Sequence, residues 1–591
     1  MNVEKGKSLH QTAVERFRTA WEDDSENRGE AKDDLRFVNG KQWPEAYENE
    51  RKAEGQPCLV INRSQRFVDQ VVGDQRQNRP RIKIHPVDNN SDIETAKIIE
   101  GIIRNIETVS NADVAYDSSI ENTTACGRAF IMIVNRYVDD ESFEQELLIR
   151  AIRDPLSVTW DPNAAEHDLS DAKYIFISDY ITREAFKEQY PNAAEAPVEG
   201  DGDWATADKI RIAQYWYVEE TEGTLYQLID GTVTSEKPAD AGIIVNKRKT
   251  SVKTIKWAVM SGAEILEGPY TWTRVLPNGR RCGRYIPIVP VWGKELYVDG
   301  KRRMRGLIRF TKDAQRLYNY AKTVEAELLI LAPKVPWIGT EEMFKGHTDE
   351  WNMAHSRKKA FLTYNPDPQA KQAKPERPEP IHQHSGLVST MANADDDMKA
   401  TTGIYDTGLG APSNETSGKA IMLRQKESDT ATFAFIDNLS RAMTHIGKIL
   451  LDLIPAYYSE EKMVRILGVD NKPQNVPVNQ PVAVNPVTKE IIGPDAGSAE
   501  LMDAIKIVQN DLTVGKYDVV VTTGPSFNTQ RIETAEMLMK FVQSAPQTLE
   551  LIGDQIFENL DWPNADKIAE RFRMLLPEQL RAQQGADVNE Q

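Results

Sequence analysis

Cysteine is scarce in this chain of 591 residues: Cys58, Cys126 and Cys282 are its full complement, far apart and without a CxxC pair. That excludes a disulfide framework and a cysteine zinc site as sources of stability, and it suits assembly in a reducing cytosol. Long apolar runs are missing too. The greasiest stretch, 328–332, is five residues long, against the ~18–20 that a spanning helix needs, and residues 1–24 hold no apolar core of signal-peptide length. The reading is a chain neither secreted by a cleavable signal nor embedded by a helix. Positive charge is also short: 72 basic against 90 acidic side chains give a formal net charge of −18. A sequence-reading DNA binder that clamps phosphates over a broad basic surface is thereby disfavoured.

What remains is an ordinary globular balance, 40% hydrophobic and 27% charged, in a length that suggests about four domain-sized units. Apolar spacing predicts helices over 64–77, 92–108 and 111–125, and strands over 82–87 and 130–134. From 147 to 290 strand signals dominate (147–152, 174–178, 212–218, 225–229, 255–259 and 286–291), punctuated by Gly, Pro and Asp turns. The economical fold class is α+β, with one such domain ending near 295.

The pattern then changes. Between 302 and 331 the apolar positions Leu307, Phe310, Ala314, Leu317, Ala321, Val324, Leu328 and Leu331 alternate in steps of 3 and 4. That predicts one helix of about 45 Å with a narrow apolar seam, a shape suited to helices standing side by side. Pro333 and Pro336 end it. Two short strands, 335–338 and 361–364, can pair, and the proline-rich stretch 365–380 reads as an extended linker. A second helix over 386–401, a glycine-rich loop over 403–417, and a very long helix from 418 to 458 follow. Residues 468–498 read as loop, 517–522 as strand, and 529–544 and 565–576 as helices; no internal repeat of fixed period is present.

Motifs for chemistry are weak. The junction SNETSGKA (413–420) is similar to a phosphate-binding P-loop but has Ser413 and Ala420 where that motif needs Gly and Ser or Thr. Thr416 or Ser417 capping the long helix explains it better. Asp395, Asp396 and Asp397 face different directions on a helix, so a solvated acidic patch is the better reading than a metal site. His382 and His384 lack a supporting cluster, and no nucleophile elbow, HExxH or paired glycosidase carboxylates stand out. No catalytic residue, metal or cofactor is assigned. Basic residues cluster at Arg302, Arg303, Arg305, Arg309, Lys312 and Arg316, and again at 247–256. Such a run is a solvated face, an intersubunit ion-pair belt, or a local grip on phosphates.

The stretches FVNGKQWPE (37–45), PCLVINRSQRFVDQVVGDQRQNRPRIKIHPVD (57–88), NADVAYDSSIENTTACGRAF (111–130) and RDPLSVTWDPNA (153–164) resemble the portal proteins of short-tailed phages of the P22-like family. KDAQRLYNYAKTVEAELL (312–329), TSGKAIMLRQ (416–425) and FIDNLSRAMTHIGKILLDLIP (435–455) continue the resemblance in the right order, and it thins beyond about 470. The resemblance implies a non-enzymatic homo-oligomeric ring, a dodecamer, at a unique capsid vertex. Double-stranded DNA passes through it during packaging and ejection. It docks the terminase large subunit and then head-to-tail adaptor and tail proteins, beside coat and scaffolding proteins. It is assembled in the host cytoplasm, incorporated in the virion and not inserted in a membrane.

On that resemblance, 1–300 is the wing, 301–332 the descending stem helix, 333–385 the clip and 386–402 the ascending stem helix. Residues 403–417 form the tunnel loop, 418–460 the long helix of wing and channel, and 461–591 the wing return and helical crown. The long C-terminal helical barrel of some members is not expected, so its role is not carried over. The expected channel residues are Tyr405, Asp406, Thr407, Gly408, Leu409, Gly410, Pro412 and Asn414. The expected stem belt is Arg302, Arg303, Arg305, Arg309 and Arg316, and the expected packing seam is Leu307, Phe310, Leu317, Val324 and Leu328. The alternatives are a metal-dependent nucleic-acid enzyme built on Asp395–Asp397 with the nearby histidines, or a capsid scaffold hub with no channel.

Overall fold

A six-stranded antiparallel sheet separates two cores. Its order is Val158–Trp160, Tyr174–Thr182, Lys209–Leu228, Ile244–Met260 and Ile265–Thr271, with Val233–Thr234 added beside Lys209–Leu228. Because side chains alternate across a strand, Tyr174, Phe176, Tyr215 and Tyr217 face one side, where helix Leu9–Asp23 covers them with Ala13, Phe17 and Ala20. Ile175 and Trp216 face the other side and join the main core. The structure, a computed structural model, describes residues 8–88, 92–194, 204–229, 233–234, 244–276, 279–331, 336–354, 360–367, 374–377, 385–405, 418–458, 462–467, 473–484, 505–522, 537–544, 549–558, 568 and 571–572, and of 418–431 the backbone alone.

The main core is built on helices whose boundaries the sequence dictates. In Ile93–Ser110 the Asp92 side chain accepts the Thr95 N–H at 3.3 Å, and Ile98, Ile99, Ile102, Ile103 and Ile106 point inward. Asn111, in the left-handed region at φ 49°, ends that helix and starts Ala112–Cys126, which Gly127 ends at φ 89°. These helices pack with the sheet Ile288–Trp292, Arg128–Tyr137, Gln145–Ala151 and with helix Gly418–Tyr457. Strand Arg81–Pro86 pairs antiparallel with Tyr517–Thr522, tying the first hundred residues to the last hundred. The mixture of helix and strand is the α+β class expected.

Four features differ from expectation. The two strands read at 212–218 and 225–229 are one strand, Lys209–Leu228, whose Gly223 lies against Val252 of its neighbour. The helix expected from 302 begins at Lys312 instead. Lys301–Arg305 is a strand paired with Lys294–Val298 through a two-residue Asp299–Gly300 turn with φ of 52° and 76°, and Ile308–Phe310 is a 3-10 turn. An Asp-Gly turn at positive φ is the strongest local hairpin signal, and it outranks the apolar steps that follow it. Pro473–Val478 and Gln480–Val484 are strands where a loop was expected, and Ile338 bridges Glu376 rather than 361–364. Among the described residues no helix is long and apolar enough to cross a membrane.

Where the chain turns from hairpin to helix it crosses the end of Ala112–Cys126 at backbone distance. Leu307 N–H donates to the Thr124 carbonyl at 2.7 Å, and Gly293 N–H to the Gly127 carbonyl at 2.8 Å. A Cβ on Gly306 would stand 2.5 Å from the Thr124 oxygen. Gly306→Ala is therefore expected to lower the Tm measured by calorimetry by several degrees, an overpacking cost of about 1–3 kcal/mol. Gly29→Ala, in a helix with nothing within 4 Å of the new Cβ, is expected to raise it slightly.

Candidate functional site

Helix Lys312–Leu331 lies between two unlike partners. One flank packs against helix Ser385–Thr402, where Tyr318 and Ala321 share a core with Met391, Ala394 and Met398. The other flank is polar yet buried: Gln315, Asn319 and Thr323 are at most 1% exposed. Their side chains hold the extended segment 57–63. Arg63 N–H donates to Gln315 Oε1 at 2.9 Å, Ile61 N–H to Asn319 Oδ1 at 3.0 Å, and Leu59 N–H to Thr323 Oγ1 at 3.2 Å, while Gln315 Nε2 donates to the Ile61 carbonyl at 2.8 Å. One step further, Glu327 pairs with Arg51, whose Nη2 donates to the Pro57 carbonyl at 3.0 Å. Asn319 also donates to Gln42 Oε1 at 2.6 Å, so the ladder reaches the FVNGKQWPE stretch. Both sides of the ladder lie in stretches that carry the family resemblance (57–88 and 312–329), but the sequence alone assigns these residues no role; their own signature is polar residues spaced by four on a helix otherwise read for its apolar steps.

The basic run is paired within the chain. Helix Ser25–Val38 presents Glu26, Glu30, Asp33 and Asp34 to it. Arg303 meets Glu26 at 2.5 Å, Arg309 holds Glu30 and meets Asp34 at 2.9 Å, and Lys312 holds Asp33 and meets Asp34 at 2.7 Å. Asp34 is 0% exposed, so the two cations neutralise a charge that burial alone would make costly. Arg302 donates to the Tyr297 hydroxyl at 3.0 Å and lies 3.8 Å from Glu295. Arg305 stacks 4.9 Å over Phe310, and Arg316 reaches Asp313 at 3.5 Å. Arg303, Arg309, Lys312 and Arg316 thus form ion pairs whose acids come from the same subunit, an arrangement different from the intersubunit belt among the three readings.

The seam divides. Leu307 is buried in the subunit's own core, and Val324 and Leu328 are half-buried. Phe310 and Leu317 are 38% and 45% exposed, and Tyr320, one turn on from Leu317, is 47% exposed. The late start of the helix takes Leu307 and Phe310 out of its register, and within the helix Leu317 faces away from Ser385–Thr402 while Ala321 faces it. Of the expected channel residues, Tyr405 is exposed; Asp406, Thr407, Gly408, Leu409, Gly410, Pro412 and Asn414 lie outside the described residues, as does most of the P-loop-like junction and both His382 and His384.

Asp395 is engaged by Arg63 and Arg66, each at 2.6 Å, and by Lys399 at 3.0 Å. Although burial works against its charge, hydrogen bonds from Arg63 and Lys399 hold its carboxyl below the ordinary value. Asp396 points to solvent, and among the described residues no group of three His, Cys, Asp or Glu could hold a metal ion. Between the two helices, Trp337, Phe344 and Trp351 form an edge-on cluster, and Trp351 Nε1 donates to the Thr363 carbonyl at 2.7 Å. Ile338, Phe361 and Tyr364 remain exposed there.

The described residues thus form an α+β body laced to a helix pair, with a small aromatic unit in the chain between the two helices. The chain belongs to the P22-like phage portal family: the family model described as Phage P22-like portal protein matches residues 14–591. The portal protein of Acyrthosiphon pisum secondary endosymbiont phage 1 is 25% identical over 609 aligned positions, which cover 96% of this chain and 80% of that protein. The family is a structural one, located in the capsid of the virion, and the portal role follows from membership.

Two substitutions separate ladder from belt. Asn319→Ala removes the acceptor of the Ile61 N–H and leaves buried Gln315 and Gln42 each short of a partner, and is expected to cost about 1–3 kcal/mol in denaturant unfolding, with faster amide exchange at Leu59 and Ile61. Arg309→Glu places a second acid against buried Asp34 and is expected to cost about 3–5 kcal/mol, whereas Arg316→Glu, at a 40% exposed side chain, changes stability by under about 1 kcal/mol.

Proposed function

We propose that this chain forms a closed ring, a dodecamer, at one capsid vertex, and that double-stranded DNA enters and leaves the capsid through its axis. The observation that carries this reading is the outward face of Lys312–Leu331. Leu317, Tyr320 and the half-buried Val324 make an apolar stripe on a helix that the ladder holds in fixed register. A heterologous contact repeated around a ring needs such a surface on one flank and its complement on the other. In this reading Lys312–Leu331 and Ser385–Thr402 are the descending and ascending stem helices, and the aromatic unit around Trp337 and Trp351 is the clip. The clip docks the terminase large subunit during packaging and adaptor and tail proteins afterwards. Coat and scaffolding proteins meet the wing during assembly in the host cytoplasm. Residues 403–417 form the tunnel loop, and 461–591 return to the wing and build the crown.

The charge balance supports the same reading. Twelve copies at −18 carry about 216 negative charges. DNA carries one negative charge per ~1.7 Å of axis. An acidic wall repels it over a Debye length of ~8 Å, so the duplex slides without sticking. The belt offsets this only in part, because Arg303, Arg309 and Lys312 are paired with acids of helix Ser25–Val38 and Arg316 with Asp313. No observation favours the metal-dependent enzyme, since Asp395 is held by three cations.

Mass photometry of the purified protein is expected to show a ring of twelve 66.7-kDa subunits, about 800 kDa. The double substitution Leu317→Glu, Tyr320→Glu is expected to shift the population to small species without lowering the subunit's Tm. Full-size rings in that variant, or a wild-type multimer without an axial opening in end-on electron micrographs, overturn the reading.

A further inference from the structure

Beside the C-terminal half of helix Gly418–Tyr457 lies a cavity of about 630 Å³, walled by that helix, by 280–285 and by 512–519. Its volume is in the range that holds nucleotide-sized ligands. In a chain with more acids than bases, the lining reverses sign: Arg280, Arg284, Lys448 and Lys516 stand against Asp452 and Asp518. Arg284 and Asp452 cancel each other. The carboxylate, 2% exposed, accepts from Arg284 Nε at 2.7 Å and from the Arg284 backbone N–H at 2.8 Å. Arg280 is held in place by donating from Nη1 to the Thr513 carbonyl at 2.9 Å. Asp518 accepts the Val519 N–H at 2.8 Å.

Lys448 and Lys516 are exposed, and neither forms an ion pair with an acid among the described residues. Asp168, which does not line the cavity, acts on Lys448 through its field and lies 3.3 Å from the His445 ring. The cavity therefore keeps an excess of positive charge contributed from two different walls. Its remaining surface is apolar and aromatic, with Tyr285 and Tyr517 on opposite segments. The Tyr285 ring is fixed edge-on against His445, with centroids 5.4 Å apart.

We propose that this cavity binds a nucleotide through its phosphate, with Lys448 and Lys516 taking phosphate oxygens and a tyrosine ring facing the base. A phosphate offers several charged acceptors to cations that approach from separate directions, which a single carboxylate does not. A base against an aromatic ring adds about 1–3 kcal/mol. A base paired within a duplex cannot enter a cavity of this size, so the ligand is either a free nucleotide or an unpaired nucleotide in a strand. The site is separate from the stem surface and from the ring reading.

The test uses the full-length protein in whatever oligomeric state it adopts, so a protein that forms no ring still decides the matter. Isothermal titration is run with inorganic phosphate, ATP, a ten-nucleotide oligothymidylate and polyglutamate. Sub-millimolar binding of ATP or of the oligonucleotide is expected, weakening with added salt. The double variant Lys448→Gln, Lys516→Gln, whose side chains touch no buried network, is expected to weaken it at least tenfold with unchanged Tm. ATP alone identifies a free nucleotide, and the oligonucleotide alone an unpaired strand. Absence of binding by both, equal affinity in the variant, or binding of polyglutamate in their place overturns the proposal.

Discussion

A helix advances about 6 Å over four residues and an extended chain about 6.6 Å over two. Gln315, Asn319, Thr323 and Glu327 use that near-equality to meet residues 63, 61, 59 and 57 in turn, the last through Arg51. The match fixes more than proximity. An apolar helix face tolerates sliding along its groove, but this one does not. A slip by one residue withdraws the partners of Gln315, Asn319 and Thr323, polar side chains that the fold has already taken out of water, at about 1–3 kcal/mol each. A slip of a full turn re-aligns part of the ladder but leaves an end unpaired. Polar residues at buried positions here set register, the role in which such groups are best attested.

The same helix start is fixed a second time by charge. Asp34, fully buried on helix Ser25–Val38, is neutralised only where Arg309 and Lys312 both reach it. Backbone-to-backbone contact at Gly306 sets the direction in which the chain leaves the body. Ladder, buried acid and glycine crossing act on three different faces within a few residues of one another. These constraints gather at the root of the helix, which fixes the direction and register in which it leaves the body.

Much of the body was legible because its periodicities are strong and its boundaries are chemical. The isoleucine face of 93–106, the left-handed Asn111 and Gly127, and the alternating aromatics of 174–176 and 215–217 each admit one reading. The start of the helix at 312 was misread because Leu307 and Phe310 happen to continue the 3–4 rhythm, while the Asp299–Gly300 turn just upstream commits the chain to a hairpin. The ladder was illegible for a different reason. Glutamine, asparagine and threonine at four-residue spacing look like a solvated helix face, and only an extended segment brought from about 250 residues away buries them. The belt's residues were found but their partners were not, since nothing local in 302–316 announces helix Ser25–Val38. Strands 473–484 carry three prolines and two asparagines, which argued for loop and proved compatible with short two-stranded pairs.

In the proposed ring, adhesion between subunits and release of DNA rest on forces that respond to salt in opposite senses. The stripe at Leu317 and Tyr320 is apolar, so its contact with a neighbouring copy survives screening and strengthens in excluded salts. The repulsion between an acidic wall and the duplex shortens as the Debye length falls from about 30 Å at 0.01 M to about 3 Å at 1 M. A ring held by surface ion pairs would loosen under the same ions that surround packaged DNA. Keeping the belt's pairs inside each subunit, partly buried and backed by Asp34, removes that coupling. The proposed ring would thus separate what holds it together from what a net charge of −18 per subunit does to a passing polyanion.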